Sequence, residues 1–299
     1  VRSPDPRCRS GQIVDATVSI GYRLGPEAHM TARAETPSAP TDGQHSTVLW
    51  WRLLSAAAAI NLALYGVTVA VVDRDAPYVL PHLVLAGIYT AVCAYRSFLP
   101  RIDLERFVLV DHVATSVGLG RSAATIAEVS FAAQLALLVH EIGGRAGLPV
   151  LQAVAPLIVV LLATAQLFCW SSVITLSHLG HAIEESLWAT TLAGVGVALG
   201  IAATHLDGAW HTICVVGAVC SAGYVAFMVI VDVPMYVRRW RKSLAAGERR
   251  LGFGAGLRDA FSRRDVTRAW AIWRPEVAWL TGYFTGAVWL SLLLAHLPR

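Results

Sequence analysis

Seven long apolar runs, at residues 48–72, 79–95, 118–142, 150–173, 183–204, 213–233 and 277–297, limit what this chain can become. A helix rises about 1.5 Å per residue, so runs of about 20 residues match a hydrocarbon core of about 30 Å. The expected fold is therefore all-α: a polytopic integral membrane bundle of about seven transmembrane helices, with amphipathic helices on its inner surface. Charged residues make up only 15% of the chain, against about 25% in soluble domains.

Two domains are expected, a disordered leader at 1–47 and a transmembrane helical domain at 48–299. Residues 1–29 are polar and lack the apolar core of a signal peptide. Met30 is the expected true start, with 1–29 an upstream translation artefact.

Basic residues fix the expected orientation. Arg238, Arg239, Arg241, Lys242, Arg249 and Arg250 lie between the sixth and seventh runs, followed by Arg258, Arg263, Arg264, Arg268 and Arg274. Arg96, Arg101 and Arg106 lie between the second and third. By the positive-inside rule both loops face the cytoplasm of a cell membrane, with the N-terminus inside and the C-terminus outside. The net charge of +4 then calls for no nucleic-acid partner. The expected partners are membrane lipids, with anionic headgroups at the basic loop 236–274. No protein partner follows from the sequence.

Two inner-surface helices are expected. One spans 98–117, where Leu104, Phe107 and Val108 alternate with charges. The other spans 251–279, with Leu257, Phe261, Val266, Trp270 and Trp273 as an apolar stripe at headgroup depth. Of five cysteines, Cys93, Cys169, Cys214 and Cys220 fall in apolar runs, and none forms a Cys-x-x-Cys pair. They read as buried free thiols.

The stretch from Ser177 to Glu185 holds the densest candidate chemistry. At about 100° per residue, His178, His181 and Glu185 share an arc of roughly 60°, with Glu184 about a quarter turn away. Two imidazoles and a carboxylate suit a divalent metal: zinc, iron or manganese. The competing reading is a polar helix start, with Glu184 and Glu185 in the first turn of span five, where the helix dipole favours them.

Glu128 lies in the middle of span three. A carboxylate at that depth is functional by default, and it is the expected catalytic acid/base. Arg121 lies seven residues earlier on nearly the same face. Asp111, His112 and Asp232 are expected on the same inner side, which gathers one polar inner-leaflet site. A rival set, His82, His140, His205, His211 and His296 with Glu141 and Asp207, falls at outer span ends and suits copper, zinc or haem.

Phosphate-binding loops, nucleophile elbows and dinucleotide fingerprints are absent from the sequence. Lys242 is the only lysine, which excludes a retinal Schiff base within a span. The sequence points first to a metal-dependent membrane enzyme acting on a lipid or apolar substrate. The alternatives are a proton-coupled transporter or channel using Glu128 and Arg121, and a non-catalytic scaffold using 236–274.

Overall fold

The computed structural model describes residues 42–298, save 74, 76 and 249. The expected leader and the Met30 start therefore lie outside the described residues, apart from residues 42–47. Those are helical, because the first span starts earlier than expected.

The chain is an all-α polytopic membrane bundle, with seven helices among the described residues long and apolar enough to cross a bilayer. They are Gly43–Val71, Val79–Phe98, Val117–Arg145, Pro149–Thr175, His178–Ala203, Gly208–Ala245 and Trp270–His296, numbered here as spans one to seven. Consecutive spans pack side by side from one through six, and span seven returns to spans one and two. One apolar core joins spans three to six around Ile142, Leu162 and Ala202. A second joins spans one, two, three and seven around Leu54, Tyr89 and Trp273. Spans six and seven do not pack closely against each other.

Prolines shape the last two spans. Span six continues to Ala245, so Arg238, Arg239, Arg241 and Lys242 sit on a helix rather than in a loop. Pro234 cannot donate to the carbonyl four residues back, and a π turn at Met228–Asp232 lies just before it. Span seven begins at Trp270, seven residues before the expected 277, and carries Pro275 inside the helix.

The two surface helices need correction. Residues 98–117 form no such helix. They hold strand β1 (Arg101–Ile102), strand β2 (Phe107–Val108) and a 3-10 turn at Val113–Thr115. β1 and β2 pair antiparallel, and β2 pairs in parallel with β3 (Asp265–Val266). Arg106 closes this hairpin at φ 62°. Its fully buried guanidinium donates to Asp103 O at 2.6 Å, Val173 O at 2.7 Å and Asp259 Oδ2 at 2.8 Å. These long-range bonds override the local helical rhythm. β3 likewise splits 251–279 into a short surface helix, Phe253–Ser262, and the start of span seven. Trp273 is fully buried against Trp50 and donates from Nε1 to Thr267 O at 2.9 Å, so it packs inside the protein rather than against lipid.

Candidate functional site

Spans four and five meet at a tight crossing that builds the site. Leu176, in a left-handed conformation at φ 58°, ends span four. Span five then starts at His178. Ser172 donates to Ser177 O at 2.5 Å and accepts from the His181 amide at 2.7 Å. Its hydroxyl thus bridges the carbonyl and amide that would otherwise form the first helical bond. Gly180 permits the contact: a Cβ there would lie 2.3 Å from Phe168 O and 2.6 Å from Ser172 Oγ. Because the helix begins at His178, Glu184 and Glu185 lie in its second turn. The first turn holds no acidic residue, so the helix-start reading of these two glutamates is corrected.

The crossing brings His181, Glu184 and Cys169 together. His181 Nδ1 is 2.9 Å from Glu184 Oε2 and 3.8 Å from Cys169 Sγ. One ligand atom from each residue lies within 4.8 Å of the others. Cys169 is fully buried, and Glu184 is 4% exposed. Among the described residues this is the one group of three such side chains with metal-ligand spacing. His178 and Glu185 line the same cavity as His181 and Glu184, but it is Glu184 and Cys169 that come closest to His181. Helix spacing alone had favoured His178 and Glu185. Span four presents a thiol to Nδ1 of His181, and the i+3 carboxylate meets the same nitrogen.

A second polar group lies deeper. Arg121 donates to Glu128 Oε1 at 2.5 Å and to Gln166 Oε1 at 2.8 Å. Gln166 Nε2 donates to Glu128 Oε2 at 2.5 Å. Both carboxylate oxygens of Glu128 are thus engaged, and all three side chains are buried. Trp170 donates to Thr125 at 3.0 Å, and Thr125 reaches Gln166 at 3.4 Å. Buried charges in a bilayer persist when paired and hydrogen-bonded in this way.

Both groups border a cavity of about 940 Å³. At one end it is lined by Arg101, Glu128, His181, Glu185, Tyr236 and Glu276. Along its length it is lined by Leu135, Leu192, Leu199, Val216, Leu290 and Leu293. Lining residues on span five run from His178 to Leu199, which at about 1.5 Å per residue covers the hydrocarbon thickness. Val216, Trp279, Leu290 and Leu293 line the cavity and are also exposed on the helix surface. The cavity therefore opens sideways toward lipid between spans six and seven.

Asp232 is buried in the π turn of span six, close enough to His181, Glu184 and Glu185 to interact with them electrostatically. Asp111 and His112 separate from this group. Asp111 pairs with Arg264 at 2.9 Å, and its own side chain is 68% exposed. His112 caps the 3-10 turn, accepting from the Ala114 amide at 3.1 Å. The hairpin draws Asp111 and His112 to the surface, so neither joins the cavity lining. The rival histidines also scatter. His140 faces Gln152 O, His211 faces Ala203 O, and His296, which lines the far end of the cavity, faces Thr68.

Several site residues were missed in the sequence. Cys169 read as an inert thiol, and nothing in its spacing marks it. Gln166 is a mid-span polar residue, and the rule that flagged Glu128 would have found it. Arg101 looked like one of many topology-setting arginines. It is 3% exposed and lines the cavity. Burial and the neighbouring Arg96 push its pKa below the ordinary arginine range, while Tyr95 acts the other way.

No protein-family model, no curated protein and no solved structure matches this chain.

Proposed function

We propose that this protein is a membrane-embedded, metal-dependent enzyme that acts on an amphiphilic substrate entering from the bilayer. The observation that carries this reading is the convergence of Cys169, His181 and Glu184 at the polar end of a long, laterally open apolar cavity. A thiolate, an imidazole and a carboxylate suit zinc, with iron or manganese as less thiophilic alternatives. When bound, such an ion polarises a substrate oxygen or acidifies a water.

The chain's own groups have distinct roles in this reading. Glu185 lines the cavity and forms no hydrogen bond or ion pair among the described residues. The acid–base role is therefore assigned to Glu185 rather than Glu128, whose two oxygens hold Arg121 and Gln166. The Tyr236 ring packs against both imidazoles, centred 5.1 Å from His181 and 6.3 Å from His178. The basic end faces the cytoplasm by the positive-inside rule, with the C-terminus outside and exposed Arg238, Arg241 and Arg258 near anionic headgroups.

Metal analysis of purified protein tests the reading. About one ion per chain is expected, and well-folded protein free of transition metal would remove it. A metal-free second reading is favoured by the 2.9 Å His181–Glu184 distance, a normal hydrogen bond. There Glu184 orients His181 as a general base. Full activity in metal-free protein, abolished by His181→Ala, would select it.

A further inference from the structure

The headgroup chemistry follows from Arg101; this step rests on the amphiphile-binding cavity of the proposed function but not on its metal. Arg101 lies at β1, between spans two and three, where a lipid headgroup would sit. Its guanidinium lies against span three at Gly120, where a Cβ would come within 2.0 Å of the nearest guanidinium nitrogen. Every hydrogen-bond partner it has is neutral: Ser116 O at 2.9 Å, Leu99 O at 3.1 Å, Tyr95 Oη at 3.2 Å and Ala114 O at 3.5 Å. Its Nε is buried without a partner. Among the described residues no carboxylate pairs with it within the 4.0 Å that defines an ion pair.

Three further guanidiniums line the cavity, and of these Arg121 is already paired with Glu128, which leaves Arg96 and Arg239. Arg96 reaches its nearest carboxylate, Asp103, only at 3.9 Å. Arg239 makes no ion pair among the described residues and sits 5.9 Å from the Tyr236 ring. A buried cation with only neutral partners is costly, and an incoming anion removes that cost. Three guanidiniums suit a phosphate, which offers several oxygens and the fork geometry that arginine matches. Asp103, Glu105, Glu128, Glu184, Glu185 and Glu276 share the lining. Asp103 acts on Arg101 electrostatically from beyond ion-pair distance, and Glu128 and Glu184 are already paired with Arg121 and His181.

We infer that the cavity holds a phosphate-bearing long-chain lipid, its phosphate on Arg101 with Arg96 and Arg239, and its tail lying between spans six and seven. The tail direction follows from the apolar lining, which runs from this end to Leu199 on span five and Leu293 on span seven.

The test uses the delipidated full chain in detergent, with thermal unfolding and native mass spectrometry as readouts. The probes are dioleoyl phosphatidic acid, dioleoylglycerol and inorganic phosphate. Phosphatidic acid should raise the unfolding temperature and remain bound, while the other two should do neither. Arg101→Gln should weaken lipid binding about tenfold or more. Gly120→Ala, which places a methyl where the guanidinium lies, should do the same with Arg101 retained. Val216→Trp, which fills the apolar stretch, should also lose the lipid. Equal binding of dioleoylglycerol would overturn the inference, as would unchanged affinity in both Arg101→Gln and Gly120→Ala. Stabilisation by inorganic phosphate equal to that by the lipid would overturn the lipid and leave a soluble-phosphate site. Cys169→Ser separates this inference from the metal: lost metal with retained lipid binding leaves the phosphate site standing.

Discussion

His181 and Glu184, three residues apart on span five, meet at 2.9 Å, with Cys169 of span four 3.8 Å from the same imidazole nitrogen. This relationship assigns the candidate ligands to two helices rather than one. It also makes the site depend on how those helices cross.

Metal content should therefore follow the tertiary triad rather than the linear motif. Cys169→Ser, His181→Ala and Glu184→Gln should each reduce bound metal by tenfold or more at a fixed free-metal concentration, while His178→Ala should retain most of it. Elemental analysis of the purified variants checks this. Loss in His178→Ala with retention in Cys169→Ser would favour the linear set of His178, His181 and Glu185.

The crossing itself can be probed at Gly180. Gly180→Ala adds a methyl 2.3 Å from Phe168 O, a backbone atom that cannot rotate away. Overpacking of this kind costs about 1–3 kcal/mol. The expected result is a lower unfolding temperature together with weaker metal retention. Normal stability with normal metal content would mean the two spans have slack at this point.

Glu128 and Arg121 form a buried pair at 2.5 Å. Glu128→Leu should destabilise the protein by about 3–5 kcal/mol, because it leaves a buried guanidinium without its counter-charge. Arg121→Met combined with Glu128→Leu should recover most of that loss. Chemical or thermal unfolding in micelles supplies the comparison. A double variant as unstable as the single one would mean that the pair does more than neutralise itself.

Orientation is open to a direct check. A reporter active only outside the cytoplasm should be active when fused at the C-terminus and silent when inserted at the Ala246–Gly247 turn. The reverse pattern would invert the assignment of the basic end.

How much could be read in advance depended on the range of the interaction. The spans were legible because apolar length is a property of contiguous residues. Glu128 was legible because a mid-span carboxylate is costly wherever its partners are. Its fixation by Gln166, 38 residues away, was not. The surface segments misled for the same reason. Leu104, Phe107 and Val108 carry a helical rhythm, yet the buried Arg106 binds Asp259, 153 residues away, and sets a hairpin instead. Spans six and seven run through Pro234 and Pro275, beyond the apolar runs that marked them.

The sequence by itself determined that this chain lives in a bilayer as seven helices, because unsatisfied backbone and exposed charge cost too much there for any other arrangement. It also placed His178, His181, Glu184 and Glu185 at one edge of span five. Only the tertiary structure decided which of them meet. The crossing at Ser172 and Gly180 turns Glu184 and Cys169 toward His181, leaves Glu185 facing a cavity, and sends Asp111 and His112 to the surface. Hydrophobic length acts along the chain, whereas the coordination of a side chain depends on which helix packs beside it.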